Sequence, residues 1–389
     1  MSRPSALFFE ERDFNLSNME NEHSQQRSGD RSLETAPGEL ASKSTLPPHI
    51  LVIRLSAMGD VAMTIPVLSA LIAQHPGIQV TVLTRAFFKP LFYGLDNVSV
   101  YEADVKNAHK GLWGLWKLYK ELKTLNIDMV ADLHNVLRSK VLKLYFKLES
   151  IPFVQIDKGR AEKKALTSPS SKVFKPLKST HQRYADVFKE LGLPLDLNSV
   201  ALLPKRPLAT SSKKLVAGND RIWIGIAPFA AFQGKMYPLD LMEKVVDALN
   251  CTGKYQLLLF GGGEKEKKKL DAWDHKFHHC VNLVGKLPFP EELALISHLQ
   301  LMVAMDSGNA HLASMFGVPT LSLWGVTHPY AGFYPFGQEV NNALLSNRDK
   351  YPMIPTSVYG NKCPDGYKNV MRSIAPEAVV AKIEEILNK

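Results

Sequence analysis

The stretch "SAMGD", residues 56–60, places an acid at a position that suits chemistry. Asp60 lies between a run typical of a buried strand and the start of an apolar helix pattern. A carboxylate there can cap the helix, because the helix dipole favours its negative charge. It can equally act as a general base that removes a proton from a hydroxyl group. The residues alone leave both alternatives open.

A second stretch, "MDSGNAH" at residues 305–311, suits the binding of a phosphate. Asp306 ends an apolar run, and Ser307 and Gly308 let the backbone turn closely around a ligand. The following helix would present free N–H groups to a phosphate. His311 lies one helical turn after Ser307, so it can face the same ligand. The alternative is that Asp306 or Ser307 only caps the helix and that His311 packs in the core.

Two weaker signals lie at other predicted strand ends. Lys235 follows "APFAAFQG" and could reach a pyrophosphate as a mobile point charge, although a lysine in a loop is usually only solvated. In "GGGEKE" the glycines allow close approach of a ligand, and Glu264 could accept hydrogen bonds from a ribose. For residues 266–269 we prefer a solvated helix face. Neither stretch has the spacing of a dinucleotide fingerprint or a Walker loop.

All four stretches lie where a predicted strand ends. Strand-like runs such as "HILVIRL", "IQVTVLTR", "RIWIGIAP" and "LMVAMDSG" alternate with helical patterns such as "KGLWGLWKLYKELKTL". This alternation predicts βαβ units and parallel sheets. In open parallel sheets ligands bind beyond the carboxyl ends of the strands. The sequence therefore predicts that these side chains surround a ligand.

The alternation forms two series, which predicts an α/β protein with two domains. Residues 1–47 are polar and lack an apolar period, so we predict a disordered leader. Two similar α/β units are expected to follow, joined by a linker. The predicted bounds are 48–205 for the first domain, 206–220 for the linker, 221–372 for the second domain and 373–389 for a final helix.

The composition favours an anionic partner. The 389 residues include 47 Lys/Arg against 38 Asp/Glu, a formal net charge of +9. The three cysteines form neither a disulfide framework nor a zinc pattern, which fits a reducing compartment. No apolar run approaches the length of about 20 residues that a transmembrane helix needs, and no secretory signal is recognised. We therefore expect a cytoplasmic protein.

The segment 157–183 is strongly basic, with eight Lys/Arg and two acids. Eight cations repel one another unless an anion is near, so this segment is a weak candidate for binding an anionic acceptor or an acidic membrane surface. Its first cations are Lys158, Arg160, Lys163 and Lys164. The aromatic side chains of the helix around Trp113 could also meet lipid, but they fall on the predicted core-facing stripe, so burial is preferred for that helix.

Two long stretches resemble those of glycosyltransferase family 9, the heptosyltransferase family. "ILVIRLSAMGDVAMTIPVLSAL" is similar to the family's first strand and Ser-x-x-Gly-Asp motif. "VNLVGKLPFPEELALISHLQLMVAMDSGNAHLASMFGVPTLSLWGVTHP" is similar to its donor-site block, with Asp-Ser/Thr-Gly-x-x-His at the centre. The resemblance covers about residues 49–389. It implies a GT-B fold, in which two Rossmann-like domains with parallel sheets face a central cleft and the last helix crosses back to the first domain.

The resemblance also implies an activity. An inverting enzyme of this family moves a heptose from ADP-heptose onto an anionic lipopolysaccharide inner-core acceptor, with no cofactor and no obligatory metal. Asp60 would be the general base, Lys235 would bind phosphate, Glu264 would meet the ribose and Leu287 the adenine, and the first domain would hold the acceptor. The positions matched to the donor site are Gly59, Lys235, Glu264, Leu287, Asp306, Ser307, Gly308 and His311.

Two other functions remain open on sequence grounds. One is a GT-B glycosyltransferase that uses another nucleotide-sugar, such as a UDP- or GDP-sugar. The other is a non-catalytic protein that binds a nucleotide-sugar or a polyanion and would not need a carboxylate at position 60. A dehydrogenase is disfavoured because no G-x-G-x-x-G follows the first strand, and no nucleic-acid motif accompanies the charge. For the enzyme, peripheral contact with the inner face of the cytoplasmic membrane is expected.

Overall fold

The computed structural model describes residues 47–216 and 221–389. The predicted leader lies outside this part of the chain, except for Pro47. The described residues form two parallel sheets, each flanked by helices. The expected α/β architecture with two parallel sheets is therefore confirmed.

The first sheet has five parallel strands in the order β3-β2-β1-β4-β5. The strands are β1 (His49–Ile53), β2 (Gln79–Thr84), β3 (Val98–Glu102), β4 (Met129–Asp132) and β5 (Phe153–Gln155). The helices of this half are α1 (Met58–Ala62), α2 (Thr64–Gln74), α3 (Gly111–Lys123), α4 (Leu137–Lys147), α5 (Arg160–Leu166) and α6 (Thr180–Glu190). A further helix, α7 (Thr210–Val216), lies within the predicted linker.

The second sheet has six parallel strands in the order β11-β10-β9-β6-β7-β8. The strands are β6 (Ile222–Ala227), β7 (Tyr255–Leu259), β8 (Cys280–Asn282), β9 (Leu301–Met305), β10 (Thr320–Trp324) and β11 (Ala343–Leu345). The helices are α8 (Leu239–Cys251), α9 (Gly263–Lys276), α10 (Phe289–His298), α11 (Gly308–Ser314) and α12 (Pro376–Leu387). The strand run that ends at Asp306 is thus central in its sheet, as β1 is in the first.

The central strands are buried on both faces. In β1 the residues Ile50 to Ile53 have no exposed surface, and the same holds for all of β9. A strand covered by helices on both sides needs apolar residues at consecutive positions, which is why these runs do not alternate. The two central strands hold their carboxyl ends, and the loops that follow them, in fixed positions.

The cores of the two halves are joined on one side. A large cluster of buried residues extends from Ile50 and Val82 in the first sheet to Leu258 and Met302 in the second. The outer face of the second sheet and that of the first have their own clusters. The joined core holds the two sheets against each other.

The final helix differs from the prediction. The resemblance implied that residues 373–389 cross back to the first domain. Instead, α12 packs against α8 and β9 of the second sheet. Its Val379 and Ile383 are fully buried in the cluster on the outer face of that sheet. The apolar stripe of α12 therefore finds its partner in its own domain.

The basic segment links the two halves. Residues 167–179, which join α5 to α6, form a strap that reaches the second domain. The N–H of Leu177 donates to the carbonyl of Tyr330 at 2.9 Å, and the N–H of Thr180 donates to the carbonyl of Gly332 at 2.8 Å. The Lys172 ammonium donates to the carbonyl of Pro355 at 2.7 Å. Part of the basic segment is therefore a structural bridge.

Helix α3 is only partly buried. Leu115, Tyr119 and Leu122 pack in the core, as the helical period predicts. Trp113 is 87% exposed, because it lies on the face of the helix opposite Leu115, and Leu112 in the first turn is also exposed. The preferred burial of the aromatic side chains is therefore wrong for Trp113.

The described helices are short. The longest, α9, has 14 residues, whereas a helix needs about 20 residues to cross a bilayer. In residues 47–216 and 221–389, no helix combines the length and the apolar character of a membrane span.

Candidate active site

The loops after the two central strands meet directly. Helix α1 follows β1, helix α11 follows β9, and these two helices are in close contact. A Cβ added to Gly59 would lie 3.0 Å from Cδ2 of His311 and 3.3 Å from Cα of Gly308. Only glycine lets the backbones approach so closely. The two motifs that the sequence singled out are therefore in direct contact.

Asp60 is held by its own loop. Its Oδ2 lies 2.6 Å from Nη2 of Arg54 and accepts the N–H of Ala57 at 3.3 Å. Arg54 is almost fully buried, and its Nη1 donates to the carbonyl of Leu133 at 2.6 Å. The Asp60 side chain remains 28% exposed. A rigid buried cation thus fixes one carboxylate oxygen, while the carboxylate still reaches the cleft.

The environment keeps Asp60 ionised. Burial alone would raise the pKa of this carboxyl group, but the Arg54 guanidinium and the Ala57 N–H outweigh it and lower the pKa below its usual value. His311 and His134 contribute in the same direction. An opposite charge in contact stabilises the charged form of an acid. The carboxylate is therefore ready to accept a proton at neutral pH.

Lys235 and Asp306 form an ion pair. Nζ of Lys235 lies 3.0 Å from Oδ2 of Asp306, and both side chains are nearly buried. Lys235 ends a 3₁₀ turn, and its methylene groups pack across Gly360, where an added Cβ would collide with Cδ of the lysine. The structure thus brings together a lysine and an aspartate that are about 70 residues apart in the sequence.

The donor-site motif carries polar atoms that lack partners. Among the described residues, Oγ of Ser307 and Nδ1 of His311 are buried and make no hydrogen bond. Burial lowers the pKa of His311 to about 4, with the charge of Lys235 acting in the same direction against Asp306 and Asp60. The imidazole is therefore neutral near pH 7. Burying a polar group without a hydrogen bond costs free energy, and a polar ligand that bonds to these two atoms would remove that cost.

The remaining predicted donor residues are more peripheral. Glu264 is exposed in the first turn of α9, and Leu287 is half-buried beside the joined core. Their roles stay predictions. Glu266, predicted to lie on a solvated face, turns back instead, and its Oε2 accepts the N–H of Gly262 at 2.7 Å. This bond shapes the glycine loop at the end of β7.

The carboxyl edge of the first sheet carries two arginines and a histidine that sequence reasoning missed. Arg85 follows β2, His134 follows β4 and Arg138 lies in the first turn of α4. Neither Arg85 nor Arg138 has a carboxylate within ion-pair distance among the described residues. Each follows a predicted strand end, so the rule that selected Asp60 could have selected them as well.

His134 lies close to Asp60. Its Nδ1 accepts the N–H of Leu55 at 3.4 Å, and burial, together with the charge of Arg54, lowers its pKa to about 3. The imidazole is neutral, and its proton is on Nε2. Tyr184, fully buried in α6, donates from its hydroxyl to the carbonyl of Asp60 at 3.2 Å. Helix α6 thereby also supports the loop that carries Asp60.

Of the four cations proposed from the basic segment, Lys163 is the buried one, and its charge interacts with that of Asp60. It is buried in α5, and its Nζ lies 4.3 Å from the ring centre of Phe333 in the second domain. Burial and the charge of Arg183 lower its pKa to about 8, against an opposing effect of Asp60. Arg160 and Lys164 are exposed, and Lys158 is half-buried. Lys163 therefore adds a cation to the first-domain side of the cleft.

A metal cluster is not apparent in the described part of the chain. Within residues 47–216 and 221–389, no group of three or more His, Cys, Asp or Glu side chains is placed to hold a metal ion. The charged partners of Asp60 and Asp306 are the Arg54 guanidinium and the Lys235 ammonium. Proton acceptance at Asp60 and anion binding at Lys235 are the chemical capabilities of this arrangement.

Comparisons with known proteins identify the family of the chain. Residues 115–358 match the sequence model of glycosyltransferase family 9 (heptosyltransferase). The chain is 22% identical over 351 residues to the lipopolysaccharide core heptosyltransferase OpsX of Haemophilus influenzae, covering 87% of this chain and 97% of that protein.

Solved structures share the fold. A glycosyl transferase family 9 protein from Veillonella parvula has a TM-score of 0.69 at 19% identity, covering 89% of this chain and 99% of the other. The E. coli heptosyltransferase WaaC with ADP has a TM-score of 0.62 at 17% identity, covering 87% and 99%. The GT-B fold expected from the sequence is thus confirmed. Because the family model matches well over half of its residues, this chain belongs to glycosyltransferase family 9, the heptosyltransferase family.

Proposed function

We propose that this protein transfers a heptose from ADP-heptose to a lipopolysaccharide inner-core acceptor, with inversion at the anomeric carbon. The observation that carries the proposal is the contact of the Asp60 loop with the Gly308–His311 turn. A base and a nucleotide-sugar site must lie within one sugar unit of each other for direct transfer. Relatives named as lipopolysaccharide heptosyltransferases, and a relative's structure with ADP, support the choice of donor and acceptor.

Asp60 is proposed as the general base. Arg54 and the Ala57 N–H both engage Oδ2, and Oδ1 has no hydrogen bond to the described residues. Oδ1 would accept the proton of an acceptor hydroxyl as its oxygen attacks the anomeric carbon. A new C–O bond forms on one face of the sugar while the bond to the ADP phosphate breaks on the other. The ion pair keeps the base ionised and oriented.

Lys235 is proposed to stabilise the leaving group. The departing ADP gains negative charge, and an ammonium held in a dry site stabilises developing charge more than it would in water. Asp306 fixes this ammonium from the opposite side. Ser307 and His311 offer unpaired polar atoms next to it. The proposal assigns charge neutralisation to Lys235, without a metal ion.

The first domain is proposed to bind the acceptor. Arg85, which donates to the carbonyl of Leu55, and Arg138 lie at the carboxyl edge of the first sheet, and the charge of Lys163 interacts with that of Asp60. Arg138 lowers the pKa of Arg85, second to burial, which indicates that the two guanidinium groups are close. Like charges that repel one another bind an anion well, since the anion removes the repulsion. An acceptor that carries phosphates fits this edge.

A ligand panel tests the donor. Thermal shifts are measured with ADP, UDP, GDP and ADP-heptose, and binding to the folded state raises the melting temperature. The proposal expects a shift with ADP and ADP-heptose and little with UDP or GDP. Transfer is then measured with ADP-heptose and a heptose-free core acceptor, with NMR of the product linkage. A selective UDP shift would instead support the alternative donor, and binding without any transfer would support a non-catalytic protein.

A further inference from the structure

Helix α4 exposes apolar side chains on the face opposite the core. Leu137, Leu144 and Leu148 are between 63% and 78% exposed. On a helix of 3.6 residues per turn they fall within an arc of about 40°. Ser139, Leu142 and Phe146 are buried on the other side. Single exposed leucines are ordinary, but three aligned on one helix face are not.

Cations flank this apolar face. The eleven residues of α4 contain Arg138, Lys140, Lys143 and Lys147 and no acid. Lys140 and Lys147 lie on one flank of the leucines, and Arg138 lies on the other. An exposed helix that combines an apolar face with basic flanks is typical of helices that lie in the interface of an anionic bilayer.

The start of α3 extends the surface. The Tyr145 hydroxyl of α4 lies 3.5 Å from the carbonyl of Leu112, and the rings of Tyr145 and Trp116 are 5.1 Å apart. Trp113, the most exposed large apolar side chain among the described residues, lies in the same first turn of α3. Tryptophan is enriched at membrane interfaces, where its ring sits among headgroups. Leu112, Trp113 and the exposed face of α4 define the α3–α4 surface.

The α3–α4 surface adjoins the approach to Asp60. Arg138 in the first turn of α4 acts on the pKa of both Arg85 and His134, so the helix begins at the cation-lined edge. Helix α3 also begins at the carboxyl edge of the sheet, because it follows β3. A molecule that rests on this surface therefore has the opening of the cleft beside it.

We propose that the α3–α4 surface docks on an anionic lipid membrane. The apolar side chains would enter the acyl boundary while the lysines meet the headgroups. A second copy of the chain fits less well, because two such surfaces would bring their cations together. The proposal places membrane contact at α4 rather than at the basic segment 157–183, part of which forms the strap. It deepens the proposed function by holding the cleft next to a lipid-linked acceptor, and it rests on that function only for the identity of the acceptor.

Vesicle flotation tests the proposal with the full chain. The protein is mixed with phosphatidylcholine vesicles with or without about 30% phosphatidylglycerol, at low salt and at about 0.5 M salt. We expect binding to the anionic vesicles that weakens with salt. The triple variant Trp113→Ser, Leu144→Ser and Leu148→Ser should bind at least about tenfold more weakly. The double variant Lys140→Glu and Lys147→Glu should lose a similar amount, since each cation contributes about fivefold.

Matched controls come from the second domain. Val340 is 82% exposed, so Val340→Ser removes an equally exposed apolar side chain. Lys268→Glu with Lys269→Glu reverses two exposed charges on α9. Both controls should bind vesicles as the unmodified protein does, within about twofold. Circular dichroism and the melting temperature verify that each variant is folded.

Several outcomes would overturn the proposal. Wild-type protein that stays with the buffer, or a triple variant that floats as the wild type does, would refute membrane docking at this surface. A dimer that the triple variant converts to a monomer, without vesicle binding, would identify a second copy as the occupant. Vesicle binding that appears only after removal of residues 1–46, which carry eight acids, would identify that segment as the occupant.

Catalysis is measured separately. With a lipid-free acceptor analogue, the triple variant should match the wild type in kcat/KM, because none of its three positions contacts the cleft. Loss of all transfer by every form would refute the proposed function while leaving the flotation result unchanged. The two proposals therefore fail in distinguishable ways.

Discussion

Each sheet ends its central strand next to an acid paired with a cation, but the two pairs are built in opposite ways. In the first domain the cation, Arg54, is buried and Asp60 is 28% exposed. In the second domain both partners are nearly buried, Lys235 at 13% and Asp306 at 8% exposure, and Lys235 reaches Asp306 from the end of a 3₁₀ turn. The more exposed member is the carboxylate in the first pair and the ammonium in the second.

This difference suits the two different roles proposed for Asp60 and Lys235. A rigid guanidinium under Asp60 supports a carboxylate that accepts a proton, because the acid is held charged and aimed outward. A carboxylate under Lys235 supports an ammonium that meets a phosphate. In the proposed function the same kind of acid–cation pair would provide a general base in the first domain and a site for the diphosphate in the second. The following variants test this contrast.

The largest expected effect is at Asp60. Asp60→Asn keeps the shape of the side chain but cannot accept the acceptor proton, so kcat should fall by about 10³-fold. The affinity for ADP, measured by titration calorimetry, should stay close to that of the wild type. Asp240→Asn, at an exposed carboxylate paired with Arg372, is the matched control. Turnover of Asp60→Asn near the wild-type level would remove the base assignment.

Lys235→Met comes next. The methionine keeps the apolar stem but removes the charge that faces the leaving group, so kcat should fall by about 10²-fold. Lys235 is also expected to bind the ground-state diphosphate, so ADP affinity should weaken, in contrast to Asp60→Asn. Lys276→Met, at a surface ion pair, should have no effect on either quantity. Unchanged ADP affinity and rate would show that the pair with Asp306 is only structural.

Arg54→Gln tests the role of the buried cation through pH. Without Arg54, burial dominates and the pKa of Asp60 rises. Because the base works only when ionised, activity falls as pH falls through this pKa, and the acid limb of kcat/KM moves to higher pH in the variant. Profiles between about pH 4 and pH 8 reveal the shift. Arg54→Lys, which keeps a charge, should shift the limb less. An acid limb at the same pH in Arg54→Gln and the wild type would show that this limb does not report the ionisation of Asp60.

Lys163→Met should act on the acceptor alone. Loss of one charge-assisted contact should raise the acceptor KM by about tenfold and leave the donor KM unchanged. Since the pKa of Lys163 is about 8, the wild-type lysine loses its charge as pH rises through that value, and the acceptor KM should rise there. The variant should lack this rise. Lys164→Met, at an exposed neighbour, is the control, and an equal effect there would contradict the assignment.

The smallest effects are expected at the two facing glycines. In Gly308→Ala the new Cβ meets the mobile end of Met58, which can move away, so kcat/KM should change by less than about twofold. In Gly59→Ala the Cβ meets the His311 ring and the Gly308 backbone, which cannot, so a loss of about fivefold is expected. Steady-state kinetics compare the two. A larger loss in Gly308→Ala than in Gly59→Ala would contradict this explanation.

The fold was largely predictable because its strands are continuous apolar runs between clear turn signals. β1, β6 and β9 were all recognised in this way. Helix α4 was missed, since its apolar side chains lie on both faces and produce no amphipathic period. The predicted packing of α12 also differs from the structure. The sequence of a helix shows its own apolar stripe but does not show which surface that stripe packs against.

The candidate site was only half predictable. Asp60, Asp306 and Lys235 follow strand ends, and position alone selected them. Arg54 was overlooked because a charge inside an apolar run gives no sign of the partner that justifies its burial. The approach of His134 and Lys163 to Asp60 depends on strand order and on the path of α5, and neither is written in local sequence.

The strap between α5 and α6 has a mechanical consequence. Its backbone is tethered to Tyr330 and Gly332 in the second domain, while its other end continues into the helix that carries Lys163. A rotation that opens the cleft must break these tethers or pull on that helix. Hydrogen exchange at the Leu177 and Thr180 amides would therefore time the opening. In the proposed function, release of the nucleotide from the second domain would then be coupled to weaker binding of the acceptor in the first domain.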